Sequence, residues 1–326
     1  MSLELEASPC PRCGSAESRH LFGGRDYLYD VPGSFSAAEC TSCALWFQNP
    51  RPTPVTIGEA YPAGYSPHVS QEDEIAPPLE PRIAQFLTGE LGYPDPPMKP
   101  RAAPRWWQRW KATVDLIPRF VEGGSVLEIG AATGGRLRGL HALGWRDLHG
   151  IELMEFAAAV ARRSGFDIRT GPIESVIGEI PDASFDVVVA SFVIEHLYDP
   201  FAIVSHVARV LKPGGEFLFC TITRDSLDAR VWGRFWAGYD FPRHMVYFSN
   251  DDLRRMTAEH FQWEADARHD AIQDYGREAW WRLMDHRNLT DRVVGRLVKT
   301  AVGRGLSTML AWSGAACRIS VRCRRR

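Results

Sequence analysis

Four of the chain's seven cysteines form two CxxC pairs near the N-terminus, Cys10 with Cys13 and Cys40 with Cys43. Each pair can present two sulfurs from one tight turn, and Gly14 permits a strained exit from the first turn. Four thiolates fill a tetrahedral shell around one Zn²⁺ and leave no position for water. The spacing therefore predicts a structural zinc rather than a catalytic one, with disulfides or chance pairs as the alternatives.

A second group of chemically capable residues surrounds a glycine-rich turn after the apolar run Ser125–Ile129. Gly130 and Gly134 permit positive φ or close approach of a ligand to the backbone. Glu128 lies just before the turn, where a carboxylate would repel a pyrophosphate but attract the ammonium group of a sulfonium amino acid. Glu152 follows Gly134 by 18 residues, a spacing that suits an acid bound to ribose hydroxyls. An ordinary strand–helix connection is the alternative.

Two histidines are candidates for a catalytic base. His196 follows a buried apolar strand, and His244 lies in a segment rich in Trp, Tyr and Phe. A positioned base typically contributes about 10²- to 10⁴-fold to a reaction that removes a proton. His196 could instead begin a helix, and His244 could be a structural residue packed among aromatic rings. Asp240, close to His244 in sequence, could pair with it or with a hydroxyl of the substrate.

The elements that would position these residues alternate between strand and helix, which predicts an α/β fold. Buried or alternating apolar runs predict strands over 125–129, 147–152, 166–170, 184–191, 216–221, 261–268 and 317–323. The last of these alternates Ile319 and Val321 with polar residues, as an antiparallel edge strand would. Helices are predicted over 136–143, 154–164 and 201–211, the last opened by Asp199-Pro200.

The glycine turn with its preceding glutamate, the run Glu-His-Leu-Tyr-Asp-Pro from Glu195, and Leu-Lys-Pro-Gly-Gly from Leu211 resemble the motifs of class I S-adenosylmethionine-dependent methyltransferases. The resemblance extends from about Gly123 to Thr221. It implies a Rossmann-like sheet of seven strands with the last antiparallel. It also favours methyl transfer over a nicotinamide-dependent reaction, because a dehydrogenase has no reason to carry the second and third motifs.

The resemblance implies S-adenosylmethionine as cofactor and a set of residues around it. These are Glu128, Gly130, Ala132, Gly134, Glu152, Ile173, Glu174 and Ser191. Two positions depart from the family's pattern. Ala132 stands where glycine is usual, and Pro172 stands where an acidic residue often contacts the adenine amine, so Glu174 or the backbone beside Ile173 is expected to replace that contact.

The N-terminal part, with Ala44-Leu-Trp-Phe after its second cysteine pair, resembles the zinc-ribbon module that precedes the catalytic domain in a subset of these enzymes. We therefore expect a ribbon over 1–66, a proline-rich linker over 67–104 and a methyltransferase domain over 105–326. The domain would open with an aromatic helix over 105–120. An insertion at 224–250 is expected to form a lid over the substrate, or a packed cover between strands.

Composition limits the partners of the chain. The formal net charge is −2, which gives no global attraction to nucleic acid. From Arg287 onward, however, the chain has ten Lys or Arg residues and one acidic residue. The segment 290–326 is therefore a candidate for peripheral membrane contact. The alternative, which we favour, is that the apolar stripe at 290–312 covers the core of the protein. The N-terminus is acidic and lacks an apolar signal region, which predicts a cytoplasmic protein.

The function expected from these patterns is methylation of a small molecule or saccharide, as in glycan or secondary-metabolite pathways. An RNA methyltransferase that uses the ribbon and the basic C-terminus is one alternative, although the ribbon carries few basic residues. A non-catalytic protein that binds zinc and the cofactor is the other, because of Ala132 and Pro172.

Overall fold

The computed structural model describes residues 3–62, 65, 87–94, 116–269, 275–286, 289–290, 293 and 316–326. Most of the predicted linker, of the aromatic helix 105–120 and of the apolar stripe 290–312 therefore lies outside the described residues. Within the linker, residues 87–91 are helical. The described end of the predicted aromatic helix, 116–120, is not helical.

The N-terminal cysteine pairs lie in a small antiparallel sheet. Its strands are β1 (Leu5–Glu6), β2 (Ser18–Gly24), β3 (Phe35–Cys40), β4 (Trp46–Gln48) and β5 (Arg51–Pro52). Strands β2 and β3 form the hairpin between the cysteine pairs, β4 continues that sheet, and β1 pairs separately with β5. A 3₁₀ turn over Ile57–Ala60 follows.

The rest of the chain builds a sheet of seven strands. They are β6 (Ser125–Ile129), β7 (Asp147–Glu152), β8 (Asp167–Thr170), β9 (Phe185–Ser191), β10 (Leu211–Ile222), β12 (Phe261–His269) and β13 (Arg318–Arg325). Their order is β12-β13-β10-β9-β6-β7-β8. The five strands from β10 to β8 pair in parallel, and β13 runs antiparallel to both of its neighbours. The predicted Rossmann-like sheet of seven strands is confirmed.

Helices lie between successive strands of this sheet along the chain. They are α1 (Gly135–Ala142), α2 (Glu155–Arg163), α3 (Ile173–Val176), α4 (Pro200–Val210), α5 (Leu227–Trp232), α6 (Asn250–Thr257) and α7 (Tyr275–His286). Asp199 begins α4 as predicted, because its side chain accepts a hydrogen bond from the Ala202 N–H and Pro200 needs no such partner. All five residues of β6 are buried, as expected for a central parallel strand.

Two details of the predicted strands are wrong. Strand β13 lies between β12 and β10 instead of at an edge. Its buried Arg322 is tolerated there because its guanidinium donates to both carboxylate oxygens of Glu216, at 2.9 and 2.8 Å. The strand predicted over 216–221 is longer than expected, because β10 starts at Leu211 and shifts its register against β9 before Glu216.

The insertion at 224–250 packs against the ribbon. Its short strand β11 (Val246–Tyr247) pairs with β4 and becomes the outer strand of the ribbon's sheet. The insertion's aromatic residues share one buried cluster with Phe35 and Ala37 of β3. The aromatic residues that the insertion contributes to this cluster are Trp232, Trp236, Tyr239, Phe241 and Tyr247. These rings of the insertion therefore pack against the ribbon, and Trp236 among them also lines a cavity described below.

Candidate functional site

The four paired cysteines converge on one point of the ribbon. The sulfur of Cys10 lies 3.5 Å from that of Cys43, and the sulfur of Cys13 lies 3.5 Å from that of Cys40. All four sulfurs lie within 4.8 Å of one another. Around a tetrahedral Zn²⁺ with Zn–S bonds of about 2.3 Å, sulfurs lie roughly 3.8 Å apart. The cluster thus fits one zinc ion held by four thiolates.

The glycine-rich turn leaves β6 and enters α1. Gly130 has φ +74°, and a Cβ added there would lie 2.6 Å from Val193 Cγ2, so a side chain has no room. Gly134, with φ +81°, precedes the first residue of α1. Ala132 also adopts a positive φ, +46°, which costs a residue with a side chain about 1–2 kcal/mol. The alanine at this usual glycine position is therefore accommodated with strain.

Glu152 ends β7 and faces this turn. Its Oε2 accepts a hydrogen bond from the Ala132 N–H at 2.8 Å, and its Oε1 accepts one from the Met154 N–H at 2.9 Å. Each carboxylate oxygen can accept a second hydrogen bond. The side chain is buried and fixed at the carboxyl end of the strand, a position that suits an acceptor of ribose hydroxyls.

Glu128 lies on the neighbouring strand and is 4% exposed. Its Oε1 accepts a hydrogen bond from Arg136 Nε at 3.0 Å, whereas its Oε2 is buried without a hydrogen-bond partner among the described residues. Burial raises the pKa of Glu128 to about 7, although Arg136 acts in the opposite direction. A buried carboxylate oxygen without a partner fits the ammonium group of S-adenosylmethionine.

The remaining predicted cofactor residues lie at the same edge of the sheet. Ile173 is buried at the start of α3, just after β8. The Oε1 of Glu174 accepts a hydrogen bond from the Tyr198 N–H at 3.2 Å, so part of this carboxylate already has a protein partner. Ser191 ends β9. The structure therefore collects all eight predicted residues around the carboxyl ends of the parallel strands, where ligands of open α/β sheets bind.

The two predicted histidines lie together, with ring centroids 4.5 Å apart. The Nδ1 of His244 donates to the Gly238 carbonyl at 2.8 Å. The Nδ1 of His196 lies 3.1 Å from both the Arg243 carbonyl and the Tyr61 hydroxyl. Burial, and next the neighbouring His244, lower the pKa of His196 to about 3, so its ring is neutral.

Asp240 pairs mainly with Arg243. One of our predictions was that it would pair with His244. Its Oδ1 accepts from Arg243 Nη2 at 2.6 Å and its Oδ2 from Arg243 Nε at 3.0 Å. The distance from its Oδ2 to His244 Nε2 is 3.8 Å. Although burial opposes its ionisation, Arg243 holds the pKa of Asp240 below the ordinary value.

Arg243 also joins the ribbon to this site, which sequence reasoning missed. Its guanidinium is fully buried and donates to both carboxylate oxygens of Asp26, at 2.8 and 2.9 Å. Asp26 in turn accepts hydrogen bonds from the Leu28 and Tyr29 N–H groups, which fixes the loop between β2 and β3. No local pattern could reveal this contact, because the two residues are 217 positions apart.

A cavity opens beside His244 between the ribbon loop, the insertion and α7. Its wall is apolar and aromatic with a few polar groups: Leu28, Phe192, Ile222, Trp236, Gly238, Asp240, His244, Trp281 and Arg318 are among the lining residues. Phe192 follows β9 directly, and Ile222 ends β10. The cavity therefore adjoins the carboxyl ends of the central strands, next to the predicted cofactor residues.

Backbone strain marks the same region. Six described residues other than glycine have positive φ, and three of them lie here: Ala132, Phe192 and Asp240, with φ values of +46°, +54° and +28°. Such conformations cost of order 1–3 kcal/mol each and tend to cluster at binding and catalytic sites. Ala132 lies in the cofactor turn, and the other two residues line the cavity.

Two arginines of the C-terminal strand β13 form ion pairs. Arg322 pairs with Glu216, and Arg324 pairs with Glu264 at 2.5 Å. The guanidinium of Arg318 lies over the Phe192 ring, 5.6 Å from its centroid. In the part of the chain that the structure describes, no helix is both long and apolar enough to cross a membrane.

Comparison with known proteins identifies the family. A family model described as a methyltransferase domain matches residues 102–267. The chain is 32% identical over 180 residues to the ubiquinone biosynthesis O-methyltransferase of Idiomarina loihiensis. This match covers 48% of this chain and 73% of that protein. It is 33% identical over 141 residues to the enzyme of the same name from Pseudomonas putida, where it spans 38% of this chain and 60% of the relative.

Among solved structures, an S-adenosylmethionine-dependent methyltransferase from Mesorhizobium loti is similar with a TM-score of 0.44 and 16% identity, over 63% of this chain and 94% of that one. The family model covers half of the chain, including β6 to β10 with their glycine turn, Glu128 and Glu152. The chain belongs to the methyltransferase domain family and is an S-adenosylmethionine-dependent methyltransferase.

Proposed function

We propose that this enzyme transfers the methyl group to a hydroxyl oxygen of a small molecule that binds in the cavity beside His244. The observation that carries the proposal is the position of this cavity, which is lined by Phe192, Trp236 and Trp281 and adjoins the carboxyl ends of β9 and β10. Pockets for small ligands combine apolar walls with a few polar groups that fix orientation. Here the indole rings would pack against the flat face of a phenol or the C–H face of a sugar.

The relatives named ubiquinone biosynthesis O-methyltransferases support oxygen as the attacked atom. Methyl transfer is an in-line displacement, in which an oxygen lone pair bonds the methyl carbon while the C–S bond breaks and the sulfonium becomes a thioether. The protein has to align the two reactants and exclude water. Loss of the hydroxyl proton requires a polar partner, and of the two predicted histidines His244 is the one that lines the cavity.

For the cofactor, we propose that Glu128 contacts the ammonium group and Glu152 the ribose hydroxyls. Gly130, Ala132 and Gly134 would let the turn approach the cofactor closely, while Ile173, Glu174 and Ser191 would border the adenine and the methyl group. The support is the shared edge of the sheet and the partnerless Oε2 of Glu128 among the described residues. When bound, S-adenosylmethionine supplies the electrophilic methyl group.

The RNA alternative finds less support. An RNA-binding surface needs clustered basic side chains that are free to reach phosphates. Arg322 and Arg324 of the C-terminal strand are instead engaged by Glu216 and Glu264. The aromatic cavity is lined by only two arginines, Arg277 and Arg318, which suits a small acceptor better than a nucleic-acid backbone.

The proposal is tested with methyl-labelled cofactor and a panel of hydroxylated acceptors, including phenols, catechols and saccharides. Label should enter an oxygen of one class, and His244→Gln should lower turnover by about 10²-fold or more while the melting temperature and the affinity for S-adenosylhomocysteine stay near wild type. His260→Gln, at a histidine that contacts Ser205 on the other side of the molecule, is the matched control.

Label found on nitrogen or carbon, or on RNA, would contradict this assignment. Unchanged turnover in His244→Gln would remove that residue from the mechanism and transfer the role to His196. A collapse in stability would instead mark His244 as a structural part of the cover.

A further inference from the structure

Three potential metal ligands meet beside the acceptor cavity, and one of them, His244, lines it. A carboxylate oxygen of Glu195 and one ring nitrogen each of His196 and His244 lie within 4.8 Å of one another. They come from two distant parts of the chain, the turn after β9 and the insertion. Besides the four cysteines, this is the other group of its kind within the described residues.

Both histidines are held in the orientation that metal-binding histidines adopt. A backbone carbonyl can only accept a hydrogen bond, so the contact from the Nδ1 of His244 to the Gly238 carbonyl places the proton on Nδ1. The contact from the Nδ1 of His196 to the Arg243 carbonyl does the same. In each ring Nε2 then carries the free lone pair. Hydrogen bonds of this kind from the second nitrogen typically orient metal-ligating histidines.

Glu195 supplies an independent reason to expect a cation. The residue is 1% exposed. Its Oε2 accepts a hydrogen bond from the Thr221 hydroxyl at 2.9 Å, whereas its Oε1 is buried without a hydrogen-bond partner among the described residues. A buried carboxylate oxygen left unpaired costs several kcal/mol, and buried charges are normally paired or bound to metals.

The cationic side chain of Arg243, the residue before His244, is already committed. The guanidinium of Arg243 is shared between Asp26 and Asp240, so it does not neutralise Glu195. Lysine is absent from the described insertion and ribbon loop in this region. A metal ion would satisfy the Glu195 carboxylate and use both free histidine nitrogens at once.

We propose that Glu195, His196 and His244 bind one divalent first-row transition metal ion, separate from the zinc of the four cysteines. Two imidazoles and one carboxylate form a donor set that suits Zn²⁺, Fe²⁺ or Mn²⁺ better than Mg²⁺ or Ca²⁺. At bond lengths of about 2.0–2.2 Å, neighbouring ligand atoms lie roughly 3–3.5 Å apart. The three side chains would therefore close by about an ångström around the ion.

Three protein ligands leave coordination positions open, as in metal sites that bind a reactant. This part of the inference rests on the proposed function: the ion would lie beside the cavity that His244 lines, so an acceptor hydroxyl would take one of the open positions. As a Lewis acid the ion would lower the pKa of that hydroxyl, so that its proton would pass to solvent water and the oxygen lone pair would attack the methyl carbon. His244 would then be a ligand of the ion instead of the proton acceptor itself.

The test counts metal ions and needs no acceptor. Metal-free chain is loaded with excess Zn²⁺, freed of unbound metal and analysed for zinc per chain. Wild type should hold two, while Glu195→Gln and His244→Asn should each hold one. The ion retained at the four cysteines reports that these variants are folded. Cys13→Ser should also hold one ion, at the other site.

Loading with Co²⁺ identifies the ligands of each ion. Cobalt bound by four thiolates has intense sulfur-to-metal charge-transfer absorption, whereas cobalt bound by nitrogen and oxygen has only weak visible bands. The second equivalent should add only weak bands, and these should vanish in Glu195→Gln. A wild type that holds one ion, or a Glu195→Gln variant that still holds two, would overturn the site.

The two proposals fail separately. A chain that binds one ion and methylates hydroxyls would overturn the second ion alone, and His244 would act on the proton directly. A chain that binds two ions but transfers methyl only to nitrogen or carbon would overturn the assignment of the acceptor atom alone.

Discussion

At the scale of single residues, Glu128 and Glu152 occupy similar places on adjacent strands but have different partners. Both carboxylate oxygens of Glu152 accept backbone hydrogen bonds. Glu128 has one oxygen paired with Arg136 and the other buried without a partner among the described residues. This difference makes Glu128 sensitive to pH and makes Glu152 a fixed acceptor, so the two residues require different tests.

Cofactor affinity should depend on the ionisation of Glu128. Because burial raises its pKa to about 7, the carboxyl is largely neutral at pH 6 and charged at pH 8. An ammonium group favours the charged form, so calorimetry should show tighter binding of S-adenosylhomocysteine at pH 8 than at pH 6. The profile of Glu128→Gln should be flat in comparison. An equally steep profile in this variant would assign the dependence to another group.

The same shift has a consequence for the cofactor-free enzyme. The pKa of Glu128 is higher in the folded chain than the ordinary value of 4.5 that applies to the unfolded chain. Such a group contributes its full stabilisation only below pH 4.5. This contribution is lost as the pH rises through about 7. The free energy of unfolding of Glu128→Gln should therefore fall less than that of wild type between pH 5 and pH 8, both denatured in urea.

Replacing Glu152 tests the ribose contact. Glu152→Ala should weaken binding of S-adenosylhomocysteine by around 1–3 kcal/mol, because charged hydrogen bonds to the ribose are lost. Glu179→Ala is a suitable control, since this exposed carboxylate forms only a 3.8 Å contact with Arg169. Binding of NADH without affinity for the thioether would contradict the proposed cofactor site.

At the scale of secondary structure, local patterns predicted the central elements closely. Strands β6 and β7 have the predicted bounds, because their buried apolar runs and the glycine turn between them are sequence-local. The position of β13 inside the sheet was missed, because the partner of its buried Arg322, Glu216, lies 106 residues away in sequence. The pairing of β11 with β4 was also missed, since two-residue strands carry no periodicity.

The candidate site was predictable to a similar extent. The residues of the glycine turn and His196 were proposed from motifs and His244 from the aromatic residues around it, whereas Asp26, Arg243 and Glu195 were not proposed. Asp26 and Arg243 derive their role from a partner in a different part of the fold. Glu195 belongs to a motif that the sequence analysis identified, but its carboxylate becomes a candidate metal ligand only through its proximity to His244 in the structure.

Asp26 should matter more to stability than an ordinary loop aspartate. Asp26→Ala would leave the fully buried Arg243 with only Asp240 as an ionic partner, and breaking a buried pair in this way typically costs about 3–5 kcal/mol. Arg19→Ala, which removes the exposed ribbon pair with Glu39, should cost under about 1 kcal/mol. Urea unfolding of both variants checks this, and equal losses would contradict it.

At the scale of the whole molecule, the ribbon is joined to the rest of the chain by the pairing of β4 with β11, a buried aromatic cluster and the Asp26–Arg243 pair. We therefore expect a single unfolding transition. Cys13→Ser should remove the zinc of the ribbon and lower the melting temperature of the entire chain in calorimetry, together with its zinc content.

Ser42→Ala, at an exposed position between the second pair of cysteines, should change neither quantity. Two separate transitions, with the larger one unmoved in Cys13→Ser, would show that the two parts unfold independently. Full melting temperature without zinc would contradict the structural role of the metal.

The strand that completes the ribbon's sheet also sets an order of events during synthesis. Val246 pairs with Phe47, so the ribosome must add about 200 residues before β4 meets β11. At roughly 5–20 residues per second this interval lasts on the order of 10–40 s. Throughout it, one edge of β4 has unpaired backbone groups, and unpaired strand edges invite aggregation. The nascent chain should therefore depend on chaperones or on early zinc capture more than the finished enzyme does.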